Sequence, residues 1–232
     1  IKKIIDNKRL VTEKTTSNYQ QQFQKIFMAI NEKMNHKEWV ELYKKMIYWE
    51  LELDKANTAQ MQEIITMQKS EANKEFFKFI SKNYQHWLHN AQEEDTPTLS
   101  HTLFKDKVIP AIDGDVPTFF ILIDNLRYDQ WKMIEPIFST YFNKVQEEYF
   151  YSILPTTTQY SRNAIFSGLM PSEIERKYKD KWVHDEENEG KNLHEYEFAV
   201  DQLKRFGVDL KHSYTKVTNS KKGKELVDNI LN

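Results

Sequence analysis

The fold class the sequence predicts is an N-terminal helical bundle followed by an α/β domain, and three observations predict it. All six prolines (97, 110, 117, 136, 155, 171) and all five glycines (114, 168, 190, 207, 223) lie after Thr96, so the first 96 residues carry neither strong helix breaker. Within that span apolar residues recur at three- and four-residue steps, the period of one helix face. Beyond it, continuous apolar runs alternate with helix-compatible segments, which implies parallel strands joined by right-handed crossovers.

The elements follow in order. A first stripe takes Tyr19, Phe23, Ile26, Phe27, Ile30 and Met34, behind the cap candidates Thr15, Thr16 and Ser17. A second takes Trp39, Leu42, Tyr43, Met46, Ile47, Glu50 and Leu53. A third, after Asn57, takes Met61, Ile64 and Ile65, then Phe76, Phe77, Ile80, Tyr84, Trp87 and Leu88. Three amphipathic stripes joined by short polar turns make a helical bundle over residues 1–96. The run Glu93-Glu94-Asp95-Thr96-Pro97 marks a boundary, and residues 97–232 form the second domain. There, residues 118–123 read as a strand buried on both faces. Residues near 127–144 read as a helix, and 149–153 as a second strand. Residues 159–167 make a short helix ended by Gly168, a further helix follows Leu193, and a strand lies near 208–214. Ser220 caps a terminal helix.

Composition narrows the function. Of 232 residues, 39% are hydrophobic, and five Trp, twelve Tyr and fourteen Phe argue for a packed core rather than disorder. No apolar run approaches the roughly 18 residues of a membrane span, and no signal-peptide pattern opens the chain. A soluble, cytoplasmic protein is the expectation. The absence of cysteine excludes structural disulfides, thiolate zinc sites and cysteine nucleophiles. A net charge of -2 predicts no broad affinity for nucleic acid or anionic membrane. The sequence opens at Ile1 and closes at Asn232 within helical patterns, so a fragment of a longer polypeptide is expected.

In an open parallel sheet, function gathers at the carboxyl ends of strands. The first strand ends in Ile123-Asp124-Asn125-Leu126-Arg127. Asp124 has two readings there, a rim carboxylate that binds a metal or the cap of the next helix. The second ends in Leu154-Pro155-Thr156-Thr157-Thr158, beside a helix N-terminus whose free N–H groups favour a phosphate or a threonine alkoxide. The competing reading is a threonine N-cap. Two such strand ends over one crevice suit zinc or manganese holding a hydroxyl nucleophile.

The stretches Ile-Asp-Asn-Leu-Arg-Tyr-Asp-Gln-Trp (123–131) and Leu-Pro-Thr-Thr-Thr-Gln-Tyr-Ser-Arg-Asn (154–163) resemble the PglZ domain of the alkaline phosphatase superfamily. Gly168-Leu169-Met170-Pro171 resembles the close of the nucleophile segment in related phosphodiesterases. Leu10-Val11-Thr12-Glu13-Lys14-Thr15 and Tyr48-Trp49-Glu50-Leu51 resemble the helical linker of PorX-type response regulators of Bacteroidetes. The resemblance implies a partial alkaline-phosphatase-like α/β domain behind a linker and an absent receiver domain. It implies Asp124 as a metal ligand and Thr158 as nucleophile and second ligand, with Thr157 the runner-up. Arg162, one helical turn beyond Thr158, could face a phosphate; the alternative is an ordinary solvated arginine. The implied cofactor is zinc, as one or two ions, or manganese.

The sequence departs from the superfamily in lacking a recognisable later Asp-His pair, so it carries roughly the first half of the metal centre. His184-Asp185 reverses that order. His194 lies in Gly190-Lys191-Asn192-Leu193-His194-Glu195, which resembles a PorX-type segment, and His212 lies in an expected strand. His86 and His89 are one turn apart with no acidic partner that completes a site, and each histidine also reads as a surface or packing residue. The resemblance implies a metal-dependent phosphodiesterase or phosphatase acting on a phosphodiester, with a nucleotide as one candidate, and a role in type IX secretion. The alternative is a non-catalytic signalling module that dimerises or binds a transcription factor. A sigma factor or a secretion component is the implied partner. A plain helical adaptor ranks last.

Overall fold

A computed structural model describes residues 2–56, 59–90, 93–184 and 190–231. The chain divides into two compact units, residues 1–97 with 122–149, and residues 98–121 with 150–232.

In the first unit three long helices follow one another, α1 (Lys2–Asn31), α2 (His36–Ala56) and α3 (Ala59–His89). Their apolar faces meet in one buried cluster. It takes Tyr19, Ile26 and Ile30 from α1, Trp39, Leu42, Met46, Trp49 and Leu53 from α2, and Met61 and Ile65 from α3. Side-chain contacts set the directions. Thr12, early in α1, donates to the Ala56 carbonyl at the end of α2 (3.1 Å), and Trp39, early in α2, packs on Phe76 and Phe79 of α3. The second helix therefore runs antiparallel to the other two. One polar link crosses the interior: Tyr19 donates to Gln68 Oε1 at 2.7 Å, and the Gln68 amide donates to the Phe23 carbonyl at 3.1 Å. Both buried side chains are thereby satisfied.

Three details differ from the sequence reading. Thr15, Thr16 and Ser17 lie inside an uninterrupted α1, because no Gly or Pro stops the helix there. The cap of α2 is Asn35, whose Oδ1 accepts the N–H groups of Lys37 and Glu38, while the Glu38 carboxylate accepts the Asn35 N–H. That reciprocal pair is a capping box. Phe27 and Phe77 point to solvent, and Phe79 takes the packing role expected of Phe77.

Residues 122–149 carry α4 (Tyr128–Phe138), which packs on α2 with the rings of Tyr43 and Tyr128 6.0 Å apart. This helix stops well short of 144. The hydroxyls of Ser139 and Thr140 take the carbonyls of Glu135 and Ile137, offering the backbone an alternative to further helix.

The second unit holds a π-helical turn (Phe104–Val108), a 3₁₀ turn (Ile109–Ala111), and helices α5 (Thr158–Ser167), α6 (Pro171–Lys177), α7 (Glu195–Arg205) and α8 (Ser220–Leu231). Its core includes Leu99, Phe104, Ile153, Ile165, Phe166, Ile174 and Phe198. Phe104 meets Phe120 edge-on at 4.8 Å. The Asn219 side chain, not Ser220, caps α8 by accepting the Lys222 N–H at 3.0 Å.

The expected α/β architecture is overturned. Among the described residues there is no strand and no sheet, and one isolated parallel bridge joins Leu99 to Tyr151. An apolar run records which surface seeks cover, whereas a strand exists only through N–H and C=O groups exchanged with a neighbour. Residues 118–123, 149–153 and 208–214 have no such ladder. Phe120 packs on Phe104, but Phe119 and Ile121 remain 65% and 74% exposed, so among the described residues no second layer covers the other face of that run. His212 accordingly lies in an irregular segment. The fold is helical rather than an alkaline-phosphatase-like α/β domain with parallel strands. No helix among the described residues is long and apolar enough to cross a membrane.

Candidate functional site

The threonines sit where α5 begins. Thr157 is the N-cap, with extended backbone (φ -63, ψ 147), and its carbonyl accepts the N–H groups of Tyr160 and Ser161 at 3.1 and 2.9 Å. Thr158 is the first helical residue. Both side chains are exposed, and neither hydroxyl makes a hydrogen bond among the described residues. The first N–H groups of a helix have no intrahelical acceptor, and the positive end of its dipole lies there, so the Thr158 hydroxyl shares its surroundings with groups that attract an anion.

The approach to α5 is pinned by hydroxyls, with Ser100 fully buried and Ser152 and Ser161 half-buried. The Ile153 N–H donates to Ser100 Oγ at 3.1 Å, and Ser161 Oγ lies 2.8 Å from Ser152 Oγ and 3.3 Å from Ser100 Oγ. The far end of the helix is held by α7. Gln202, fully buried, donates to the carbonyls of Ile165 and Phe166 at 3.0 Å each, and Arg205 donates to the Ser167 carbonyl. Gly168 closes α5 in the left-handed conformation (φ 62).

Arg162 projects from the same helix one turn beyond Thr158. Its Nη2 pairs with Glu195 Oε2 at 2.7 Å, and Glu195 is 1% exposed. Tyr214 donates to the same oxygen at 2.7 Å and Lys216 pairs with it at 3.2 Å. Burial, reinforced by the hydrogen bond to Glu195, raises the Tyr214 phenol well above its ordinary range. Glu195, Asn192 and Gln202 escaped the sequence reading because Arg162 and Glu195 are 33 positions apart, and no local period links them.

Asp124 belongs to the first unit, whereas Thr157, Thr158 and Arg162 belong to the second. It occupies an exposed turn before Asn125, which adopts φ 62. The cap of α4 is Arg127, whose N–H donates to Gln130 Oε1 at 3.0 Å, so Asp124 does not cap that helix.

Comparison with known families matches residues 103–229, more than half of the chain, to the BREX system PglZ alkaline phosphatase-like domain. The chain belongs to the PglZ family. Residues 9–88 match the PorX response regulator linker domain. A PorX-type linker therefore precedes the PglZ domain, the pairing to which the sequence motifs pointed. No curated protein matches the chain.

Three histidines of the PglZ segment have polar neighbours close in sequence or space. His194, the residue before α7, lies 3.2 Å from both carboxylate oxygens of Glu197, and His212 Nδ1 is 2.8 Å from the Leu210 carbonyl. His184 is 3.9 Å from Glu175, and Asp185 lies outside the described residues. In the linker, His86 approaches Glu93 at 3.3 Å and His89 Nδ1 lies 2.7 Å from the Gln85 carbonyl. Zinc takes about four ligands, of which about three come from protein in a catalytic site. Among the described residues no three His, Asp or Glu side chains converge in that way. The side chains of the described residues do not amount to a metal centre, and no chemical step is assigned to a metal.

Proposed function

We propose that the chain is the effector region of a PorX-like response regulator whose PglZ domain cleaves a phosphate ester with Thr158 as nucleophile. The observation that supports this is the exposed hydroxyl of Thr158 at the first position of α5, without a hydrogen bond among the described residues and inside the matched PglZ segment. A hydroxyl there attacks phosphorus, the ester bond to the leaving alcohol breaks, and water opens the resulting phosphothreonine. The N–H groups at the start of α5 that precede Tyr160 hold the phosphate. Arg162 adds positive charge one turn away, moderated by Glu195. Zinc or manganese is the cofactor class that the family implies, with Asp124 as a candidate ligand. A receiver domain in the same polypeptide supplies the input through α1–α3, in the cytoplasm, and a sigma factor or secretion component takes the output.

The test is Thr158→Ala in the full-length protein, assayed with bis(p-nitrophenyl) phosphate in the presence of zinc or manganese. Turnover should fall at least about 100-fold, while the melting temperature stays within a degree or two, since an exposed hydroxyl contributes little to the core. Retained turnover removes Thr158 from the role. A second reading, a signalling module that dimerises or binds a transcription factor without turnover, draws support from Phe27, Met28, Met67 and Phe77, which are 51–72% exposed on the linker helices. Absent turnover in the unmodified protein, together with partner binding that survives Thr158→Ala, favours that reading.

A further inference from the structure

We infer that residues 190–195 are a positioning clamp on the first turns of α5 and so set where Thr158 stands. The start of a helix frays readily because its first N–H groups lack intrahelical partners. Here the chain immediately before α7 grips that start from outside. Asn192 Nδ2 has two hydrogens and spends them on the Thr158 carbonyl at 3.3 Å and on Asn163 Oδ1 at 3.1 Å. Asn163, 2% exposed, returns the contact by donating to the Lys191 carbonyl at 2.9 Å. Two asparagines thus lock loop and helix together through side chain and backbone on both sides.

Glu195 makes the second grip. Its Oε2 receives Arg162 from α5, and Lys216 closes the ring by pairing with that oxygen and donating to the Asn192 carbonyl at 2.8 Å. The helix is therefore held at residues 158, 162 and 163. A buried carboxylate between two cations resists rearrangement, because separating them would leave charge uncompensated in a dry interior. The contact on Thr158 falls on its own carbonyl, which leaves the hydroxyl free of the clamp. Asn192 is accordingly a positioning residue: it touches the backbone of the nucleophile and not the reacting atoms. A displacement of about 1 Å in such a group costs about 100-fold in rate.

The test is Asn192→Ala in the full-length protein, with Asn192→Asp beside it. Asn192 is half-buried at the surface, so the fold survives either change. Aspartate keeps the size and loses both donors, so it should behave as alanine does. Amide hydrogen exchange over residues 161–165 should accelerate at least about tenfold. With bis(p-nitrophenyl) phosphate, kcat should fall about 10- to 100-fold with KM within about twofold. The activity readout rests on Thr158 as nucleophile; the exchange readout does not. Wild-type exchange in the alanine variant overturns the clamp, whatever the rate does. Accelerated exchange with unchanged kcat, or full kcat in Asn192→Asp, overturns its role in placing Thr158. Accelerated exchange in a protein that shows no turnover even unmodified upholds the clamp and removes the nucleophile.

Discussion

Gly168→Ala should destabilise the second unit severely, and the structure says by how much. Gly168 adopts φ +62, a conformation that costs an alanine about 1–2 kcal/mol. An added Cβ would also stand 1.9 Å from Gln202 Oε1 and 2.7 Å from its Cδ. Gln202 cannot simply swing away, because it is fully buried and its amide caps the carbonyls of Ile165 and Phe166. Moving it forfeits two hydrogen bonds, each worth about 1 kcal/mol, and strains a packed interior by about 1–3 kcal/mol. The expected loss is about 4–7 kcal/mol, measured by urea denaturation followed by circular dichroism. Gly207→Ala supplies the control. Its φ is +72 but nothing lies within 4 Å of the added Cβ, so only the backbone cost of about 1–2 kcal/mol applies. A Gly168→Ala loss no larger than that of Gly207→Ala would show that Gln202 does not sit against the end of α5.

Two further outcomes are expected. Tyr19→Phe leaves Gln68 Oε1 buried without its donor, so the linker bundle should lose about 1–3 kcal/mol in chemical denaturation; a change below about 0.5 kcal/mol would mean the pair is not formed. In acid, two carboxyls matter. Burial pushes Asp201 up, but hydrogen bonds from Lys177, Tyr178 and Arg205 outweigh it and hold it at about 2; the Tyr149 hydroxyl, opposed by burial and aided by Lys144, holds Glu147 at about 2. Both folded values lie below the unfolded values of about 4, so the native state binds fewer protons across that window. Their contribution is complete above about pH 4 and fades as pH falls towards 2. Asp201→Asn should therefore flatten the fall in melting temperature between about pH 4 and 2, and an unaltered acid limb would contradict the hydrogen bonds to Asp201.

The linker helices were legible in the sequence because a helix is a local object. Its hydrogen bonds close within four residues, so an uninterrupted span free of Gly and Pro, with apolar residues every three or four positions, suffices to locate it. The short helix ending at Gly168 was legible for the same reason, since a glycine just past a helix supplies the left-handed residue its end requires. Periodicity could not tell Phe77 from Phe79, because a stripe is wider than one residue and the neighbouring helices choose which ring is covered. Strands are another matter. Residues 118–123 have the composition of a buried strand, yet pairing belongs to two segments at once, and tertiary structure alone decides whether a partner lies alongside. The site divides along the same line. The proline and the threonine run by themselves placed residues 156–158 beside a helix start, and the family resemblance singled out Thr158, whereas the grip of Asn192, Glu195 and Gln202 on that helix spans 29 to 37 positions and arises only when α7 packs against α5. Local sequence determines where a helix begins and ends; what holds it in place depends on residues that only folding brings near.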